Sequence, residues 1–338
     1  MVIAVDGMGG DHAPAEIVKG CVDAADRFGV EILLVGPRDV MEAELHRRGA
    51  RRATGPAISV VHASEYLVEG EHPAFALRKK RDASVAVAVR LVKEGRADAA
   101  LSAGPTGGVT AAALGILGAL EDLSRPVVGG RILEFTPGSI LMDLGANVDC
   151  QPYQLLDFAV IGSVYAEKMM GIPDPTVALL SVGAEKGKGN QLVLETTPLL
   201  EASGLNFIGN VEGYDIPLGK ANVILCDGFV GNIVVKFAEN LGKAAAAWLE
   251  ERLSGQLPED AVRRLANELR RATNTADTFG GGPLWAVDGV ACVAHGRSRA
   301  PAITGAIEQA KLAVERDLVG AFRRELAQAR RKQGTERP

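Results

Sequence analysis

Cysteine is scarce in this 338-residue chain, with Cys21, Cys150, Cys226 and Cys292 far apart, no CxxC pair and no metal-ligand spacing to a histidine. A disulfide framework and a sequence-encoded metal centre are therefore not expected, and free thiols in a reducing compartment are the simplest reading. Long apolar runs are also missing: no segment approaches the roughly 18 uninterrupted residues of a membrane-spanning helix. The N-terminus enters a strand within two residues, without a basic stretch followed by an apolar one. The chain is thus expected neither to be exported by a signal peptide nor to span a membrane. Strong positive charge is absent too, since the formal net charge is −5 and no basic run dominates, which argues against nucleic acid as the main ligand. Arg78–Arg81 and Arg323–Lys332 are local basic clusters, read first as solvated faces and second as docking patches for an acidic protein or anionic lipid. Two nucleotide motifs are lacking as well. No GxGxxG follows a strand with an acidic residue about twenty positions on, and GAEKGKG is not GxxxxGK[ST], which disfavours a nicotinamide dehydrogenase and a P-loop NTPase.

What is present is a hydrophobic content of 47%, enough to bury a large core. Short β-branched or Leu-rich runs at 2–5, 31–35, 58–61, 98–101, 139–142, 176–182, 206–208, 222–226 and 289–294 alternate with helical stretches. The helical candidates include Ser84–Glu94, Gly108–Leu120, Gln154–Met170, Leu192–Ser203 and Pro301–Ala327. Such alternation predicts a doubly wound α/β fold. With no repeat and no low-complexity linker, residues 1–338 are expected to form a single α/β domain. One segment departs from the rhythm: Val234–Leu253 and Pro258–Thr273 are two consecutive amphipathic helices without an intervening strand, a helical hairpin inserted at 234–273. Its stripes, Phe237, Leu241, Ala245, Trp248, Leu249 and Leu253 against Val262, Leu265, Ala266 and Leu269, either pack on each other and the core, form a dimer contact, or present Leu253 and Leu257 as a tip for a membrane interface.

The chemistry concentrates where strands run into glycine-rich loops. VIAVDGMGGDHAP opens the chain, and the transition recurs in ALSAGPTGG (100–108), ILMDLGANVD (140–149), ALLSVGAEKGKGN (178–190) and VILCDGFVGN (223–232). Ligands of open parallel sheets sit at the carboxyl ends of the strands, so these five loops are expected to converge on one crevice. Glycines such as Gly9 and Gly10 let backbone N–H groups turn toward an oxyanion, and a Pro-started helix after them presents its N-terminus to the same anion. Ser102 and Thr106 with Gly104, Gly107 and Gly108 form a second phosphate cradle at a helix start. Lys188 and Asn190 combine a fixed ammonium and an amide among glycines, suited to phosphate or a tetrahedral oxyanion, with Lys186 the near rival. Asn232 is either a helix N-cap or a donor to a carbonyl. Asp6, His12 and Asp227 are orienting or proton-handling groups, His12 as an acceptor for a phosphate proton or as a capping residue. Asn147 and Asp149 either line the crevice or make Asx turns, and His295 is a weaker candidate.

Taken together, VDGMGGDHAP, SAGPTGG, DLGAN, the KGN of Lys188–Asn190 and CDGFVGN, with GGGPLWAVDGV and AHGRS further on, resemble the bacterial PlsX family of acyl-acyl carrier protein:phosphate acyltransferases. The resemblance runs in order along nearly the whole chain. It implies a three-layer α/β sandwich with a mostly parallel sheet, isocitrate/isopropylmalate dehydrogenase-like as in phosphate acetyltransferases, with a protruding helical hairpin. It implies transfer of a long-chain acyl group from acyl carrier protein to inorganic phosphate, giving acyl phosphate for phospholipid (phosphatidic acid) synthesis, with no cofactor and no metal. The implied partners are acyl carrier protein, a second copy in a homodimer, a peripheral membrane contact and a downstream glycerol-phosphate acyltransferase. The implied location is the cytoplasm and the inner face of the cell membrane.

Three positions depart from the family pattern. The usual SAGNTG reads SAGPTGG, so Pro105 removes an amide and a backbone N–H; VEGYDI carries Tyr214 where arginine is common; and Asp288-Gly289 replaces an NG turn. An acyl chain needs an apolar channel, worth up to roughly 0.8 kcal/mol per buried methylene. The faces around 109–120 and 233–249 either supply one or are ordinary core. The rival readings are a phosphate acetyltransferase acting on acetyl-coenzyme A and a non-catalytic membrane-surface scaffold.

Overall fold

Short runs of two to six residues, most of them apolar, form the strands and the stretches between them form helices. The computed structural model describes residues 1–49, 57–68, 70–71, 73–120, 123, 127–274, 281–285 and 287–333; Gly280 and Ala286 of GGGPLWAVDGV lie outside them. In chain order the elements are β1 (Val2–Asp6), α1 (Ala15–Phe28), β2 (Glu31–Gly36), α2 (Arg38–Arg47), β3 (Ile58–His62), α3 (Pro73–Lys79), α4 (Ser84–Lys93), β4 (Ala99–Ser102), α5 (Thr106–Ile116), β5 (Gly129–Gly130) and β6 (Ile140–Met142). There follow α6 (Pro152–Met170), β7 (Val177–Leu180), α7 (Gln191–Ser203), β8 (Phe207–Val211), β9 (Val223–Leu225), α8 (Gly228–Leu253), α9 (Glu259–Ala272), β10 (Gly281–Pro283), β11 (Val290–Ala294), α10 (Ala300–Glu315) and α11 (Leu318–Gln333).

The chain divides into two compact units, Met1–Glu121 with Phe279–Val319, and Asp122–Thr278 with Gly320–Pro338. The first is built on a six-stranded sheet of order β10-β11-β4-β1-β2-β3, parallel except for the β10–β11 pair. Alternation along β1 explains its layers. Ala4 belongs to the core shared with α4 and α5, while Ile3 and Val5 are buried from the opposite face, where α1 and α10 pack. Gly20 allows the close approach of those two helices, since a Cβ there would lie 2.6 Å from Ile303 Cβ. Val109, Ala112, Ala113, Leu117 and Leu120 are all buried, so this side of α5 and the segment after it pack into the core.

The second unit has a five-stranded sheet of order β5-β6-β9-β7-β8, parallel except for β5–β6. Helices α6 and α7 pack on it, with Phe158 of α6 fully buried, and Val230, Val234, Val235 and Ala238 of α8 pack on the core with Leu141, Ala178, Val211 and Ile224. Helix α8 starts six residues before the predicted Val234, because the Asp227 side chain caps it by accepting the Val230 N–H at 2.8 Å.

Two further expectations change. The helix expected over Pro301–Ala327 is two helices, broken at Asp317, whose φ of 48° lies in the left-handed region. Within the hairpin, α8 meets α9 through small residues. Ala246 is buried, a Cβ on Gly242 would run into Thr273 Oγ1, and Val262 and Ala266 face them. The predicted stripe of Phe237, Leu241 and Trp248 points outward, at 66%, 54% and 56% exposure. Among the described residues no helix is long and apolar enough to cross a membrane. Among the described residues no disulfide is formed, and burial pushes the Cys21, Cys226 and Cys292 thiols up and away from thiolate reactivity.

Candidate active site

The glycine-rich loops divide between the units. VDGMGGDHAP, SAGPTGG and AHGRS leave the carboxyl ends of β1, β4 and β11 in the first; DLGAN, GAEKGKGN and CDGFVGN leave β6, β7 and β9 in the second.

In the first unit Asp6 ends β1 with a side chain only 3% exposed. Ser102, at the end of neighbouring β4, donates its hydroxyl to Asp6 Oδ2 at 2.7 Å and accepts the Gly104 N–H at 3.0 Å, while Met8 N–H donates to Asp6 Oδ1 at 3.0 Å. Burial raises the Asp6 carboxyl above the ordinary carboxylate range, opposed by these hydroxyl and amide donors. Gly9 lies directly over the pair: a Cβ there would sit 2.6 Å from Gly104 N and 2.7 Å from Asp6 Oδ2. Asp6 and Ser102 thus form the floor beneath the loops, with the Asp6 carboxylate holding the Ser102 hydroxyl and the Met8 amide. Gly10, at φ 99°, and the Asp11 N–H, donating to Gly296 O at 2.7 Å, clamp the opening loop onto AHGRS.

Above this floor is a cleft of about 460 Å³, lined on its apolar side by Met8, Tyr66, Leu67, Val68, Ala103 and Pro105 and on its polar side by Gly10, Asp11, Gly104, Thr106, His295 and Arg297, with Gly296. Thr106 opens α5, and Gly107, also exposed, follows it. Pro105 has no N–H to offer, but its carbonyl accepts the Gly108 and Val109 amides, so the departure from the family pattern preserves the helix start. Lys80 fixes the Tyr66–Val68 wall, donating to Tyr66 O at 3.0 Å and pairing with Glu71 at 2.8 Å. His12 is half-buried in the turn before α1 and its carbonyl accepts the Glu16 N–H.

The second unit repeats the device of an aspartate at a strand end. Asp143, fully buried just after β6, accepts the Gly145 and Ala146 amides on Oδ1 and the Asn147 amide and side-chain amide, both at 2.7 Å, on Oδ2. Asn147 is buried and held by this carboxylate, and its carbonyl accepts the Gly228 N–H at 2.7 Å. The glycines of CDGFVGN explain the fit, because a Cβ at Gly228 would lie 2.7 Å from Asn147 O and one at Gly231 would run into Asp143 O. Asn232 is exposed in α8, and its side chain lies over Gly145. It is not the cap; Asp227 is.

On the remaining loop Asn190 caps α7 by accepting the Val193 N–H at 3.0 Å. Lys186 pairs with Glu201 at 2.7 Å. Lys188 is exposed, and among the described residues no acidic partner lies within ion-pair distance of it. Its stem runs over Gly183, where a Cβ would come within 3.0 Å of Lys188 Cγ. Tyr214 is exposed on a short turn at Gly213–Asp215. The hairpin residue Leu257 is exposed and Leu253 half-buried. Among the described residues no cluster of His, Cys, Asp and Glu is arranged to hold a metal. Asp143 is the functional-site residue that sequence reasoning passed over, although an aspartate two to four residues before the glycine, alanine and asparagine of DLGAN carries the signature of a carboxylate collecting backbone amides.

This arrangement of parallel sheets belongs to a known structural class. A phosphotransacetylase from Streptococcus pyogenes shares the fold with a TM-score of 0.58 at 19% identity, covering 95% of this chain and 94% of that one. A branched-chain phosphotransacylase from Enterococcus faecalis V583 matches with a TM-score of 0.54 at 14% identity, covering 93% and 99%. At these identities the likeness establishes fold alone. The sequence carries the identity: the model of the family described as fatty acid synthesis protein matches residues 1–320. The phosphate acyltransferase of Desulforamulus reducens is 44% identical over 327 residues, covering 96% of this chain and 97% of that protein. That of Heliobacterium modesticaldum is 45% identical over 330 residues, covering 95% and 96%, and that of Aquifex aeolicus 44% over 311, covering 91% of each. The chain belongs to this family, as its motifs led one to expect.

Proposed function

We propose that the chain transfers a fatty acyl group from a thioester on acyl carrier protein to inorganic phosphate, releasing acyl phosphate for phospholipid synthesis and the free carrier thiol. Family membership supports phosphate as acceptor. The geometric observation that carries the reading is Lys188, an exposed ammonium without an acidic partner among the described residues, on the glycine loop that leaves β7. In the reaction a phosphate oxygen attacks the thioester carbonyl, a tetrahedral oxyanion forms, and the C–S bond breaks with the electron pair leaving on sulfur. A thiol of pKa about 8.5 departs as thiolate without obligatory protonation, so rate comes from positioning and charge. Lys188 holds the phosphate or the oxyanion. Asn190 retains its amide N–H groups for the same anion while its oxygen caps α7. Asn232 donates to the thioester carbonyl, and the proton of monohydrogen phosphate passes to solvent once the acyl phosphate has formed.

Assembly is part of the same proposal. The outward row of Phe229, Ile233, Phe237, Leu241 and Trp248 on α8 supports a homodimer contact, and Leu257 with Leu253 at the hairpin turn supports a peripheral contact with the inner membrane face. The test is phosphate-dependent thiol release from palmitoyl-acyl carrier protein beside acetyl-coenzyme A. Turnover of the long-chain carrier substrate alone is expected; turnover of acetyl-coenzyme A instead favours a phosphate acetyltransferase, and turnover of neither favours a scaffold.

A further inference from the structure

We propose that Asn210 is a positioning residue for Lys188, aimed at its loop by a bulge in β8 that Gly209 creates. The proposal rests on the role assigned to Lys188 above. Parallel pairing of β7 with β8 begins with Val177 opposite Phe207, and in unbroken register Leu179 would face Gly209. It faces Asn210 instead, and Leu180 faces Val211, so β8 carries one extra residue at this point. Side chains alternate between the faces of a strand, and one inserted residue therefore moves Asn210 to the face that residue 209 would otherwise occupy. Gly209 makes this possible with φ 92°, in the left-handed region. Conformation and not space demands glycine here, because a Cβ at Gly209 would have nothing within 4 Å.

The re-aimed side chain meets the loop at both ends. Asn210 Nδ2 donates to Gly183 O at 3.3 Å and to Lys188 O at 3.1 Å. Gly183 is the residue over which the Lys188 stem lies, so a single amide ties the base of the stem to the surface that supports it. The loop's own ties are local, Lys188 N–H donating to Glu185 O at 3.1 Å between the left-handed glycines Gly187, at φ 94°, and Gly189, at φ 125°. An external tie is then what converts an exposed, long-stemmed lysine into a charge held at one place. Misplacement of a catalytic group by about 1 Å can cost on the order of a hundredfold in rate.

A double-mutant cycle and a protease readout test this. Asn210→Ala is expected to lower kcat ten- to a hundredfold with a smaller change in KM. In the Lys188→Ala background the same substitution is expected to cost no more than about twofold, because a residue acting through Lys188 has nothing left to position. Losses that multiply across the cycle, or a normal kcat in Asn210→Ala, overturn the proposal. If Lys188→Ala is itself near normal while Asn210→Ala is impaired, the role of Lys188 and the action through it fail together. Limited trypsin digestion reads the tie without reference to activity: cleavage after Lys186 and Lys188 is expected to accelerate at least fivefold in Asn210→Ala, and unchanged cleavage overturns the tie whatever the kinetics. Should Asn210→Ala fail to fold, Asn210→Asp has the same size and no N–H to donate, and gives the same two readouts.

Discussion

At the scale of the residue, Lys188 and Lys186 sit two positions apart in one glycine loop, and only Lys186 has a carboxylate partner among the described residues. Lys186 is engaged by Glu201, fifteen residues away on α7, a pairing that no local pattern reveals. Lys188→Ala is expected to lower kcat about 10²–10³-fold, the scale of removing one oxyanion-hole donor, with thermal stability unchanged; Asn232→Ala is expected to behave similarly, and near-normal turnover of either folded variant removes that residue from the site. Asp6 gives a prediction of a different kind. Its carboxyl is raised by burial above the ordinary 3.8, so the folded state holds the proton more tightly than the unfolded state does. The stability tied to that proton is fully present below the ordinary value and lost as pH rises through the raised one. Wild type should therefore gain stability relative to Asp6→Asn as pH falls from 7 toward 4, read from denaturant midpoints of both, and a pH-independent difference contradicts it. The residue types of the site were legible in the motifs, but their division of labour was not. Asp227 and not Asn232 caps α8, and the buried Asp143 and the bulge-borne Asn210 act through hydrogen bonds that only the folded backbone brings together.

Elements with strong periodicity or β-branched runs were readable, and the exceptions have physical causes. Strands β5 and β10, of two and three residues, are too short to show alternation. Helix α2 has a polar face on nearly every side, and α3 is only seven residues long. The expected helix over 301–327 has good periodicity on both sides of Asp317, so the break there leaves no mark in the hydrophobic pattern. Valines seat α8 on the core and glycines let it approach DLGAN and α9 closely, while its largest apolar residues face outward. Gly231→Ala places a methyl where the Asp143 carbonyl stands and is expected to cost about 1–3 kcal/mol and to reduce activity by displacing DLGAN, as measured by thermal melts and kcat. An unchanged melting temperature would show that the loop yields freely. The exposed hairpin turn makes its own prediction: Leu253→Ser with Leu257→Ser should reduce co-sedimentation with anionic liposomes, and undiminished sedimentation excludes the tip as a lipid contact.

For the whole molecule, the alternation of strand and helix was enough to read an α/β class with mostly parallel sheets, and the order of motifs was enough to read the family. The two compact units were not legible, because the second sheet continues the same strand-helix rhythm and no composition shift marks the passage into it. Each unit has its own core, and Phe158→Ala in the second is expected to cost about 3–5 kcal/mol, detectable as an early transition in urea. Membership of the phosphate acyltransferase family underlies the central claim that phosphate, and not water, receives the acyl group. Incubating the protein with palmitoyl-acyl carrier protein and phosphate, counting released thiol, and converting acyl phosphate to its hydroxamate only after the carrier protein, whose thioester hydroxylamine also attacks, has been filtered away tests that claim most directly. The account predicts hydroxamate and thiol in equal amounts and neither without phosphate; thiol released with free fatty acid, or release that persists when phosphate is omitted, would contradict it.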